Sequence, residues 1–119
     1  VTTGIDAVDV ERFAASLARQ PRMAERLFTE SERLQAAGSP VRLAGRFAVK
    51  EAAMKALGVG LGSVRFSELE LWRLESGAPV LQLSGEARRR AGELGWLEWS
   101  VSLSHTAKVA VAVVVALLG

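Results

Sequence analysis

The chain has no cysteine among its 119 residues. That absence removes three chemistries together: a disulfide framework, a thiolate metal site and a cysteine nucleophile. It also has no marked excess of charge. Fifteen Lys and Arg stand against thirteen Asp and Glu, a formal +2, which is not the profile of a dedicated nucleic-acid binder. A local basic patch for an acidic partner fits that balance better. There is no long hydrophobic run. The longest, Val109 to Leu118, has ten residues, about half of a membrane span, and Val1 to Gly4 has no signal-peptide layout. Neither nucleic acid nor membrane is therefore expected as a partner, and the expected location is cytoplasmic. Repeats and low-complexity linkers are absent too. The length predicts one domain over residues 1–119, and half of the residues are hydrophobic, an ordinary globular content.

What is present reads as an α+β fold. Thr3 to Val10 has strand character, and alternation puts Asp6, Val8 and Val10 on one face with Ile5, Ala7 and Asp9 on the other. Helical pattern covers Glu11 to Arg19, is interrupted at Pro21, and resumes over Arg22 to Leu27. Thr29 to Glu32 is a capping box opening a third short helix, which Gly38 and Pro40 close. The longest helix is predicted over Val41 to Leu57, ended by Gly58. On it Arg42, Arg46 and Lys50 form one basic stripe, and Glu51 and Lys55 a second polar ridge. Its alanines cover the other side, so this helix should be central and largely buried. A Gly-rich loop, Gly58 to Gly62, follows. Strand pattern returns over Glu68 to Leu74, turns at Ser76-Gly77 and comes back over Pro79 to Leu83. Ser84 can cap a helix reaching Leu94. Trp96 to Ser104 alternates, with Leu97, Trp99, Val101 and Leu103 on one side. Lys108 to Leu118 reads as a buried, Val-rich strand. The sum is an antiparallel sheet packed against helices, with one long central helix.

Taken singly, the polar residues have plain structural readings. Ser104 and His105 are adjacent on a strand and point apart, and no GxSxG turn is present, so a hydrolase triad is excluded. A strand-end cap explains them. The glycine loop lacks the GK[ST] ending of a P-loop and could be a connector. Asp6 could cap a strand end or bind a ligand. Glu51 with Lys55 has the spacing of a helix-surface ion pair. The arginines at 12, 19, 22, 26 and 33 alternate with Glu11, Glu25, Glu30 and Glu32, as a solvated surface would.

Taken in order, the residues resemble a known family. Gly4-Ile5-Asp6, Glu11-Arg12-Phe13 and Arg26-Leu27-Phe28-Thr29-Glu30-Ser31-Glu32 resemble the opening of holo-[acyl-carrier-protein] synthases of the short, single-domain class. Leu43-Ala44-Gly45-Arg46-Phe47-Ala48-Val49-Lys50-Glu51-Ala52, followed by Lys55-Ala56-Leu57-Gly58, is similar to that family's central helix motif. Ser102-Leu103-Ser104-His105-Thr106 is similar to its carboxy-terminal SxSH strand. The resemblance spans essentially the whole chain. Thr106 and Val109 depart from it, standing where many members carry an acid and an aromatic, and Ala7 and Met54 replace larger residues.

The resemblance implies transfer of the 4′-phosphopantetheine arm of coenzyme A to a serine of an acidic apo acyl carrier protein. Adenosine 3′,5′-bisphosphate would be released and Mg²⁺ required. It implies Asp6 and Glu51 as metal ligands. Glu51 would also take the serine proton, directly or through metal-bound water, and Lys55 would neutralise the transferring phosphate. Arg46 and His105 match positions near the 3′-phosphate of coenzyme A, and Gly58 and Gly60 would let the co-substrate lie against backbone. Arg12, Arg22 and Arg26 would dock the carrier. The implied assembly is a homotrimer with sites between subunits, and surplus apolar surface is an independent reason to expect oligomer burial. Fatty-acid and polyketide carriers stay equally open. Two other classes compete. A silent coenzyme A or nucleotide-binding module has no need of both Asp6 and Glu51, and a structural interaction protein would show no Mg²⁺ dependence.

Overall fold

An Ala-rich segment with Pro at its first position and Ser39 before it makes the dominant helix. Ser39 accepts from the Arg42 N–H at 3.3 Å, and Gly58 (φ 66°) closes the far end in the left-handed conformation, where glycine carries no Cβ penalty. In this computed structural model, which describes residues 1–119, that helix is α4 (Pro40–Leu57). Before it come β1 (Thr2–Asp9), α1 (Val10–Arg19), α2 (Met23–Leu27) and α3 (Glu30–Ala36). After it come a 3-10 turn (Phe66–Glu68), β2 (Leu69–Arg73), β3 (Pro79–Leu83), α5 (Gly85–Glu93), β4 (Trp96–His105) and β5 (Val109–Leu118). Twelve of the eighteen α4 residues are buried, as expected of a helix apolar on more than one side.

The strands form two antiparallel sheets rather than the single one expected: a three-stranded sheet ordered β1-β5-β4 and a separate β2-β3 hairpin. The larger sheet packs on α4 through its small residues. Ala110, Ala112, Val114 and Ala116 of β5 are buried on the helix side. Gly4 does the same on β1, where an added Cβ would fall on the Ala52 carbonyl oxygen of α4. The hairpin is fastened to β4 by the Trp99 indole, which donates to the Leu81 carbonyl at 2.9 Å. Between α1, α4 and the 3-10 turn runs a stack of rings, Phe13 on Phe47 at 5.0 Å and Phe47 on Phe66 at 5.9 Å. No helix is long and apolar enough to cross a membrane.

Three expectations need correction. Val10 belongs to α1, not the strand, because the Asp9 carboxylate caps that helix by accepting from the Arg12 N–H at 2.9 Å. The alternation on β4 holds from Trp99 onward, but a bulge at Trp96/Glu98 buries Trp96 and turns Leu97 out to 67% exposure. β5 is buried on one face only: Val109 and Val111 are exposed on the other, as strand alternation demands. The third residue of the basic stripe, Lys50, is buried together with its partner Glu32, as a charge on a largely buried helix requires. It is 0% exposed.

Lys50 is held by a complete set of acceptors. Its amine donates to Glu32 Oε1 at 2.8 Å, the Phe66 carbonyl at 2.8 Å and the Leu69 carbonyl at 3.0 Å. Glu32, also 0% exposed, accepts in addition from the backbone N–H of Thr29 at 3.0 Å and of Leu71 at 3.0 Å. The capping box read from sequence is thus one side of a buried node joining α3, α4 and β2. A buried ion pair survives when its hydrogen bonds are all made, and this one meets that condition.

Candidate active site

Two clefts flank α4 on different sides. The first is a groove of about 360 Å³ bounded by Asp6, Ala7, Val8 and Asp9 of β1, Arg12, Phe13 and Ser16 of α1, and Phe47 and Glu51 of α4. The close β1–α4 approach at Gly4 brings Asp6 to the helix. There the Lys55 amine bonds to Asp6 Oδ1 at 3.1 Å and to the Ile5 carbonyl at 2.9 Å. The i, i+4 pair expected between Glu51 and Lys55 therefore gives way to a cross-element pair with Asp6. The Glu51 carboxyl is pushed above the ordinary glutamate range, first by burial and then by the negative charge of Asp6, with Lys55 partly opposing. Asp9, which alternation places on the other strand face, borders the same groove at the strand's end but is occupied as the α1 cap.

The second cleft, of about 390 Å³, is lined by Gln35, Val41, Arg42, Gly45, Arg46, Arg73, Leu103 and His105. It brings together Arg46 and His105, 59 positions apart in sequence. Arg46 is 3% exposed. It donates to Gln35 Oε1 at 3.2 Å and the Arg42 carbonyl at 3.4 Å, and its buried Nε has no partner. Burial lowers its pKa, Glu32 opposes this, and Arg73 and Arg42 push it further down. His105 ends β4, where Thr106 fixes the following turn by accepting from the N–H of Lys108 and of Val109, both at 3.1 Å.

Other expected residues lie elsewhere. Gly58 borders a third hollow at the far end of α4, with Lys55, Arg90 and Trp96. Gly60 sits in the following loop, with open space where a side chain would be. Within one chain, neither glycine joins the Arg46–His105 cleft. Arg12 lines the groove, and Arg22 and Arg26 are exposed on and beside α2. None of the arginines at 12, 19, 22, 26 and 33 pairs with Glu11, Glu25, Glu30 or Glu32. The ion pairs of the chain are Lys50–Glu32, Lys55–Asp6 and Arg89 with Glu86 and Glu93.

A profile of the 4′-phosphopantetheinyl transferase superfamily matches residues 2–114. The chain belongs to that family. The holo-[acyl-carrier-protein] synthase of Streptomyces griseus subsp. griseus is 49% identical, with 98% of this chain and 97% of the relative covered. That of Beutenbergia cavernae is 47% identical, with coverage of 98% and 97%. Among solved structures, the Helicobacter pylori holo-[acyl-carrier-protein] synthase in complex with coenzyme A superposes with a TM-score of 0.86 at 33% identity, covering 96% of this chain and 98% of that one. The ACPS–CoA complex of Chronobacterium ammoniagenes gives 0.89 at 32% identity, with coverage of 99% and 97%. On this phosphopantetheinyl transferase frame, two residues were missed by sequence reasoning. Arg73 stood in a plain strand pattern with no signal to mark it. Glu32 has the spacing of a helix cap, and its second task, holding Lys50, depends on the packing of α3 against α4.

Proposed function

We propose that this chain transfers the 4′-phosphopantetheine arm of coenzyme A to a serine of an apo acyl carrier protein, releasing adenosine 3′,5′-bisphosphate. The observation that carries the reading is the convergence of Asp6 and Glu51 in one groove, with the Lys55 amine on Asp6 at 3.1 Å, on a chain of this family. Attack of a hydroxyl on a pyrophosphate phosphorus needs charge neutralisation and positioning more than covalent help. Glu51, with its basicity raised by burial and by Asp6, is suited to accept the serine proton. Lys55, anchored between Asp6 and the Ile5 carbonyl, presents its charge to the transferring phosphate.

The donor set also fits a hard divalent cation. Two carboxylates share the groove and one raises the pKa of the other, a repulsion that a cation would relieve. Asp9, the third acid of the groove, is taken up as the α1 cap and completes no three-residue ligand cluster with them; a two-carboxylate site suits Mg²⁺, an ion that keeps waters and takes substrate phosphate oxygens. When bound by Asp6 and Glu51, Mg²⁺ would supply neutralisation of the pyrophosphate. Arg46 and His105 would hold the 3′-phosphate of coenzyme A, and the backbone at Gly58 and at Gly60, which faces open space, would lie against the co-substrate.

One protomer separates these parts. Arg46 and Glu51 are five helical positions apart, about 140° around α4 and about 7.5 Å along it, so their clefts open on different sides. A homotrimer would bring one copy's Arg46 cleft to its neighbour's groove. Its contact would be the outward sheet face, where Ile5 (66% exposed), Val111 and Val109 are exposed. Sedimentation showing a monomer at micromolar concentration would sink the trimer. Arg12, Arg22 and Arg26 are free of ion pairs on the rim of the groove and beyond it, so they would steer an acidic carrier. The carrier KM should then rise with salt, and a flat response would remove the docking role. A cytoplasmic enzyme is the corresponding location.

The test of the activity is a mass measurement. Incubation with coenzyme A, Mg²⁺ and an apo carrier should add one phosphopantetheine mass to the carrier. No gain, with a known transferase active on the same carrier, overturns the reading.

A further inference from the structure

The Arg46 cleft gathers more positive charge than its surroundings offset. Arg42, Arg46, Arg73 and His105 line it, and no carboxylate does. Arg46 is buried with its Nε unpartnered, although it carries a guanidinium in a site where two other arginines already disfavour its charge. Like charges crowded beside a desolvated cation are unfavourable until an anion joins them.

Arg73 is the least explained member. It ends β2, is exposed and forms no ion pair. The acid nearest to it on its own strand, Glu70, is already engaged by the Thr29 hydroxyl at 2.5 Å and by the Trp72 indole. Its Nη1 donates to the Gly77 carbonyl at 2.8 Å across the hairpin turn. That bond fixes the guanidinium at the cleft wall and leaves its remaining donors uncommitted.

We propose that Arg73 is a specificity-determining residue that makes this cleft select a nucleotide bearing a ribose 3′-phosphate monoester over the same nucleotide without that 3′-phosphate. A monoester carries about −1.5 to −2 charge and three acceptor oxygens at neutral pH, matching a cluster with a rigid donor fork on each side. The inference rests on the proposed transferase reading, in which such a monoester is the 3′-phosphate of coenzyme A and of the released bisphosphate. What it adds is a residue on the hairpin, outside the motifs that mark the family in this sequence. The plain alternative is that Arg73 only ties the β2–β3 turn.

Calorimetric titration of the intact protein separates the two. The ligands are adenosine 3′,5′-bisphosphate and adenosine 5′-monophosphate, and the proteins are wild type, Arg73→Lys and Arg73→Gln. Wild type should prefer the bisphosphate. Arg73→Gln should weaken bisphosphate binding roughly ten-fold or more and the monophosphate by no more than about two-fold. Arg73→Lys should fall between, keeping the charge but losing the fork. Equal losses for both ligands, no loss for either, or no bisphosphate preference in the wild type would each overturn the proposal. The readout is binding, so failure of phosphopantetheine transfer would appear in the carrier mass assay and remain distinguishable from failure here.

Discussion

Lys50 and Glu51 are neighbours in sequence and opposites in surroundings. Lys50 points into a closed node where every ammonium donor has an acceptor and the paired carboxylate accepts from two further N–H groups. Glu51 lies one residue on, partly open to solvent, beside another carboxylate that raises its pKa. The first arrangement is electrostatically complete and the second is not. A complete buried pair holds elements together, whereas an incomplete one at a cleft leaves interaction free for something that arrives later. The Arg46 cleft is of the second kind, with the sign reversed.

The largest expected effect comes from opening the closed node. Glu32→Ala strands a buried ammonium and two backbone groups, and should cost about 3–5 kcal/mol of stability. A denaturant midpoint near that of wild type would show that the node is not what binds α3 and β2 to α4. Next comes the open groove. Asp6→Ala and Glu51→Ala should each lower transfer by about 10²–10³-fold, the range for removing a group that stabilises developing charge, with little change in Tm. Near-normal turnover at limiting Mg²⁺ would take that residue out of the site.

The smallest effect sharpens the contrast, and its sign is opposite to that of Glu32→Ala. Because the folded-state pKa of Glu51 is raised, the native chain holds that proton more tightly than the unfolded chain. Stability therefore declines as pH climbs from the ordinary glutamate range through the raised value, and stays lower above it. Glu51→Gln should unfold at a slightly higher temperature than wild type at neutral pH in chelator. That gain should disappear below the ordinary glutamate range. A variant less stable than wild type at pH 7 would mean that the groove is not strained by its acids.

Much of this architecture is written locally. Thr29 and Glu32 announce their cap by spacing, Gly58 ends α4, and the alternation from Trp99 to Leu103 names the inward side of β4. The acids of the groove were legible through the order of motifs. What escaped depends on neighbours distant in sequence. Helical angles put Lys50 in line with Arg42 and Arg46, but they cannot say that the 3-10 turn and β2 supply acceptors to Lys50 while Arg46, also buried, lines a cleft. The valines of β5 and the residues of a buried strand look alike until one face proves to have nothing packed on it. Arg73 acquires meaning only when the hairpin is placed beside α4.

Gly4 sets the gauge of the groove. The strand lies so close to α4 that the smallest side chain would collide with the Ala52 carbonyl, and Asp6 follows two residues later on the same face. The clearance between the two acids is therefore machined by an atom that is missing. A single methyl at that point would act as a shim, wedging strand from helix and drawing Asp6 away from Glu51 while leaving every reactive group in the chain intact. A survey of variants that scored only lost turnover would place this inert residue next to the acids, and the chemistry of its side chain would offer no reason why.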